Sequence, residues 1–185
     1  MELNLPTSLT LLRIALIPFL VLAFYVPWQG MHVLCGIIFT LAAITDWLDG
    51  YLARKMSQTT LFGAFLDPVA DKLMVVVTLV LIVQADPSPS VAIASAVIIG
   101  REITIASLRE WMAEIGQRNQ VAVSWLGKWK TTTQMIAIIT LLFSMDLWEK
   151  PLRLIGQILL FVSAILTLWS MFYYLKAALP ALRRH

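Results

Sequence analysis

Four aspartates stand in sequence that is otherwise apolar. Asp46 and Asp49 lie three residues apart and Asp67 and Asp71 four apart, among Leu, Ile, Val, Ala and Phe. Residues at i, i+3 and i+4 share one face of a helix, so each pair presents two carboxylates in one direction. An ionisable side chain inside a membrane span is disfavoured by at least about 2.5–3.5 kcal/mol on insertion scales and marks a functional position. Lys72, Arg101, Glu102 and Arg109 are further ionisable residues in apolar surroundings. Four carboxylates converging in a low dielectric repel one another and cannot all stay ionised unaided. Divalent cations relieve that repulsion. An oxygen-only donor set, with no His or Cys beside it, favours Mg²⁺ or Mn²⁺ over Zn²⁺. Such a set has room for one or two ions about 3.5–4 Å apart, the arrangement that serves displacement at phosphorus.

The elements that must position these residues are transmembrane helices. About 20 apolar residues cross a bilayer core of about 30 Å, and the pattern predicts six spans, at about 8–26, 32–53, 61–84, 91–112, 131–145 and 154–176. The fifth is short for a crossing and is expected to begin before Thr131. Pro18 is expected to bend the first span, and Pro68 to free the carbonyl of Ala64 and bend the third. The stretch from Asp86 to Ser90, with prolines at 87 and 89, is expected to be a turn. The second span runs towards the loop near residue 57 and the third returns from it. At about 1.5 Å per residue the two aspartate pairs then lie at similar depth and face each other across a helical hairpin. Gly50 and Gly63 let a ligand approach the backbone, and Ala53 is small on the face that carries Asp46, Asp49 and Gly50.

Composition supports this class. The chain has 185 residues, 59% hydrophobic and 14% charged, with a mean hydropathy of +0.82. A soluble domain carries about 25% charged residues, so too few charges are present to wrap a water-soluble globule. We expect an all-α integral membrane protein formed as one transmembrane domain over residues 1–185. The net charge of +3 fits basic inner loops better than nucleic-acid binding, which we do not expect. Arg54, Lys55, Arg118, Lys128, Lys130, Lys176, Arg183 and Arg184 fall on one side. Lys150 and Arg153, diluted by Asp86, Asp146 and Glu149, fall on the other. The positive-inside rule then places both termini in the cytoplasm, and Trp28, Trp111, Trp125, Trp129 and Trp148 fit the aromatic belts. Cys35 is the single cysteine, so an intrachain disulfide is excluded, and Met1–Leu12 lacks the features of a cleaved leader.

The run Asp46-Trp-Leu-Asp49-Gly50-Tyr-Leu-Ala53-Arg54, then eight residues, then Gly63-Ala-Phe-Leu-Asp67-Pro-Val-Ala-Asp71, resembles the signature of the CDP-alcohol phosphatidyltransferases at every fixed position. The stretch from Asn4 to Arg13, the triplet Gly100-Arg101-Glu102, the pair Arg109-Glu110 and the run Gly127 to Thr131 extend the likeness to family members that use sn-glycerol 3-phosphate as acceptor. The resemblance implies a six-helix fold in a bacterial inner membrane, usually as a homodimer, with a cavity open to the cytoplasm. It implies that Asp46, Asp49 and Asp67 hold the metal, that Asp71 completes the site as general base, and that Gly50, Ala53, Arg54 and Gly63 line the pocket for the CDP moiety. The implied reaction takes CDP-diacylglycerol and sn-glycerol 3-phosphate to phosphatidylglycerophosphate and CMP.

A phosphate-bearing acceptor needs cations. Arg101 and Arg109 lie two turns apart near one face of the fourth span, and Lys128 and Lys130 open the fifth. All four are candidates for the acceptor phosphate, with Arg suited to bidentate binding and Lys to a point charge. The bland alternative for the arginines is pairing with Glu102, Glu110 or the aspartates. Within the family the acceptor could instead be serine, inositol phosphate or a phosphatidyl lipid. Outside it, the aspartates could relay protons or cations in a transporter, which would be expected to show an internal repeat or carriers in both leaflets. Here the charges cluster at one end.

Overall fold

The structure, a computed structural model, describes residues 5–56, 61–116, 125–147 and 150–182. Six helices make up the fold of the described residues: α1 (Leu5–Tyr25), α2 (Met31–Met56), α3 (Leu61–Ala85), α4 (Pro89–Glu114), α5 (Trp125–Leu147) and α6 (Lys150–Leu182). These are the six elements expected from the apolar runs, in the same order. Three are long and apolar enough to cross a membrane, at Thr7–Tyr25, Pro89–Glu114 and Lys150–Lys176, and Met31–Asp46 is a shorter apolar stretch. Helices α2, α3 and α5 carry Asp46, Asp67, Asp71, Lys130 and Asp146, which interrupt or shorten their apolar faces. The chain is a membrane protein of all-α class.

Helix α5 begins at Trp125, ahead of Thr131, and so reaches a length that the apolar run alone did not supply. The turn after α3 is tighter than expected. It occupies only residues 86–88, and Pro89 opens α4 behind Ser88, whose φ of −63° and ψ of 139° are those of an extended N-cap. Proline fits the first helical position because its missing N–H would have no partner there. Pro18 and Pro68 lie inside continuous helices.

Helix α5 packs along α6, α1 lies against both α2 and α3, α4 lies against α6, and α2 meets α5. Lipid tails are as apolar as leucine, so contact between these helices comes from close packing rather than from water exclusion. Gly156 of α6 illustrates it: a Cβ there would stand 2.8 Å from the Leu141 Cγ and 3.2 Å from its backbone nitrogen. One apolar cluster, including Leu20, Phe39, Leu79, Ile98, Ile138, Leu142 and Leu160, fills the middle of the bundle and reaches up to the aspartates at Phe39 and Met74. A smaller one, Ile105, Met112, Tyr174 and Ala178, joins α4 to α6 nearer the aspartate end.

Polar links lace the far end. Tyr25 bonds Gln84 between α1 and α3. His32 Nδ1 lies 2.7 Å from Asp146 Oδ1 and Val33 N–H donates to Oδ2 at 3.0 Å, tying α2 to α5. Asp86, in the α3–α4 turn, accepts from Arg153 at 3.0 and 2.6 Å and from Gln157 at 2.8 Å, which anchors that turn to α6. Burial alone would raise the Asp86 carboxyl, but the hydrogen bonds from Arg153, Gln157 and the Ser88 N–H outweigh it and hold the group below its ordinary range.

Candidate active site

At the opposite end the helices part around a cavity of ≈ 1060 Å³. Asp46 of α2 and Asp67, Asp71 and Lys72 of α3 line it, with Glu102 and Arg109 of α4 and Thr131, Thr132 and Gln134 of α5. The hairpin of α2 and α3 therefore brings three of the four expected aspartates to one chamber. The backbone of Asp49, Gly50, Ala53 and Arg54 continues α2. The side chains of Asp49, Ala53 and Arg54 and the surroundings of Gly50 lie outside the described residues, as does the Lys128 side chain. Gly63 lies in the first turn of α3, four residues before Asp67.

Helix α1 supplies two partners that the aspartate pattern did not reveal. Arg13, with a side chain 1% exposed, donates from Nη1 to Asp46 Oδ1 at 3.0 Å and to Asp71 Oδ1, bridging α2 and α3 with one fixed cation. Thr10, three residues earlier and so on the same face, donates to Asp67 Oδ1 at 2.6 Å. The sequence did carry a signal: Arg13 is an arginine inside the first apolar run, with a hydroxyl at i−3. A water-sized void of ≈ 10 Å³ lies beside Arg13, Asp46 and Asp71, lined also by Phe39, Met74 and Met135.

The cations expected at the acceptor phosphate divide into two groups. Arg109 lines the cavity and donates from Nη2 to the Tyr174 hydroxyl at 3.1 Å, its guanidinium carbon 5.2 Å from the Tyr174 ring centre. Arg101 and Lys130 are buried and do not line the cavity. Arg101 bonds Glu102 Oε1 at 3.1 Å and Ser170 Oγ at 2.7 Å, and Lys130 Nζ bonds the same Glu102 oxygen. Their helices turn them onto Glu102, which does reach the cavity wall.

Among the described residues no three carboxylate, imidazole or thiol groups close on a common centre. Arg13 stands between Asp46 and Asp71, and Thr10 holds Asp67. The donor chemistry nevertheless fits a hard divalent cation. Three carboxylates from two adjacent helices line one chamber, and such oxygens are the ligands that Mg²⁺ and Mn²⁺ take. A cation at Arg13 already offsets part of their charge.

Residues 3–169 match the family described as CDP-alcohol phosphatidyltransferase. Three similar proteins carry the name CDP-diacylglycerol–glycerol-3-phosphate 3-phosphatidyltransferase. The protein from Sodalis glossinidius is 55% identical over 185 residues, covering 100% of both chains. Those from Pectobacterium atrosepticum and Yersinia enterocolitica are 56% and 55% identical over 178 residues, covering 96% of each chain.

Proposed function

The chain belongs to the CDP-alcohol phosphatidyltransferase family, and from that premise we propose that it transfers the phosphatidyl group of CDP-diacylglycerol to sn-glycerol 3-phosphate, releasing CMP. The observation that carries this reading is the joint placement of Asp46, Asp67, Asp71 and Arg109 around one chamber. A nucleophile, a leaving group and an anionic acceptor can meet there. Full-length relatives at 55% identity named for this reaction support it.

Asp46, Asp49 and Asp67, with Asp71, would hold one or two Mg²⁺ or Mn²⁺ ions. A bound divalent cation supplies charge neutralisation at the pyrophosphate and the leaving CMP. The remaining work belongs to the chain. Asp71 accepts the proton of the acceptor's primary hydroxyl, whose oxygen forms the new bond to the phosphorus bearing diacylglycerol. The bond from that phosphorus to the CMP oxygen breaks, and CMP leaves with the electron pair. Arg13 keeps the Asp46 and Asp71 side chains in register between α2 and α3. Arg109 has N–H donors beyond the one committed to Tyr174 and binds the acceptor phosphate. Gly50, Ala53, Arg54 and Gly63 line the CDP pocket. Arg101 and Lys130 hold Glu102, and Lys128 would bind the acceptor phosphate.

The chain works in a bacterial inner membrane with both termini in the cytoplasm, as a homodimer, with the acyl chains remaining in the bilayer. Purified protein given CDP-diacylglycerol, Mg²⁺ or Mn²⁺ and one acceptor at a time tests the reading through CMP release. Release with glycerol 3-phosphate and not with serine or inositol phosphate is expected. Release with serine alone would overturn the acceptor assignment, and no release with any acceptor would overturn the enzyme.

A further inference from the structure

One carboxylate in the chamber has no task in the phosphatidyl transfer described so far. Glu102 lines the cavity wall, and both cations that hold it, Lys130 and Arg101, bond the same oxygen, Oε1. Among the described residues no hydrogen bond is made to Oε2. The clamp is rigid, since Lys130 is 2% exposed, Arg101 is 8% exposed, and Arg101 is fixed at its other nitrogen by Ser170. An ionised carboxylate only accepts hydrogen bonds. A pre-set acceptor oxygen at the wall of a substrate chamber calls for a hydroxyl.

We propose that Glu102 Oε2 receives the secondary hydroxyl of the glycerol phosphate acceptor and so selects a polyol phosphate over acceptors that lack this hydroxyl. The inference rests on the acceptor assignment above and deepens it. The three polar ends of glycerol 3-phosphate then meet three different groups that line one cavity: its phosphate meets Arg109, its primary hydroxyl Asp71, and its secondary hydroxyl Glu102. A site built to bond a substrate hydroxyl rejects the analogue without it strongly, because the buried polar group is then left unmet. Glu102 is a specificity-determining residue in this scheme, and Arg101 and Lys130 are the groups that aim it.

The test compares glycerol 3-phosphate with 3-hydroxypropyl phosphate, which differs only by the missing secondary hydroxyl, in the CMP-release assay. A hydrogen bond to a charged group predicts that the wild type prefers glycerol 3-phosphate in kcat/KM by roughly 10- to 100-fold. Glu102→Gln should bring that preference below about threefold, with KM for CDP-diacylglycerol unmoved. The ratio is taken within each variant, so loss of folded protein cancels. If Glu102→Gln does not accumulate, Glu102→Asp keeps the charge, withdraws the oxygens by one methylene and should give the same collapse. A preference that survives in the variant, or is absent from the wild type, overturns the proposal. Wild-type protein inactive with both compounds overturns instead the acceptor assignment beneath it.

Discussion

Replacing Arg13 by methionine removes a cation shared by Asp46 and Asp71 while keeping an apolar stem of similar length. Orphaning a buried ion pair costs about 3–5 kcal/mol. Here the cation is buried, but Asp46 and Asp71 are 36% and 37% exposed, so water in the chamber screens the two carboxylates left behind. The loss should therefore be smaller, about 1–3 kcal/mol. For a chain of this size that lowers the unfolding midpoint by roughly 2–12 °C. Thermal unfolding in detergent, without and with added Mg²⁺, reads both halves of the argument. Without Mg²⁺ the variant should melt below the wild type. With it the variant should gain more than the wild type does, because the added cation takes over neutralisation that Arg13 supplied. Equal midpoints and equal Mg²⁺ shifts in the two proteins would refute the reasoning and leave Arg13 a packing residue.

Asp71→Asn should lose about 10²- to 10⁴-fold in kcat, the range of a general base, while Mn²⁺ binding followed by electron paramagnetic resonance persists. Arg109→Ala should raise KM for glycerol 3-phosphate several-fold more than KM for CDP-diacylglycerol, and an equal rise in both would assign it to packing on Tyr174. Gly156→Ala drives a Cβ to 2.8 Å from Leu141 Cγ and should destabilise the α5–α6 contact by about 1–3 kcal/mol, seen as a lower melting midpoint. Asp86 is held below its ordinary carboxyl range, so its contribution is present above the unfolded value of about 3.9 and is lost as pH falls below it. Melting from pH 6 to pH 3 should show a loss of a few tenths to 1 kcal/mol, given that Arg153 is 56% exposed. Asp86→Asn should flatten that part of the profile.

The six helices were legible because each apolar run is long and the breaks between runs are polar. The aspartates were legible for a related reason: a charge inside such a run has no neutral explanation, and 3- and 4-residue spacing fixes its face. Arg13 escaped the same logic only because it sits near the start of its run, where a cation is easily taken for a flanking residue. Arg101 and Lys130 show a different limit. Their sequence positions place them near the chamber depth, but whether they face a ligand or Glu102 depends on how α4 and α5 rotate against α6, which packing at Ser170 and Tyr174 decides. Pro89 shows a third. A proline pair reads as a break, and only the backbone geometry at Ser88 reveals that the second proline starts a helix.

The apolar cluster between the chamber and the laced far end has a consequence for the cell's electrical state. A cavity of ≈ 1060 Å³ sunk into a membrane shortens the insulating path across it, and each elementary charge moved through 100 mV is worth about 2.3 kcal/mol. Leu20, Phe39, Leu79, Ile138 and Leu142, all at 0–1% exposure, form a dry stopper below the chamber floor. Water and the ions it carries meet hydrocarbon there, so the chamber stays a blind well. A polar substitution in that stopper, such as Leu79→Asn, would put an amide where hydrocarbon now seals the floor of the well, at the cost of burying a group without a partner.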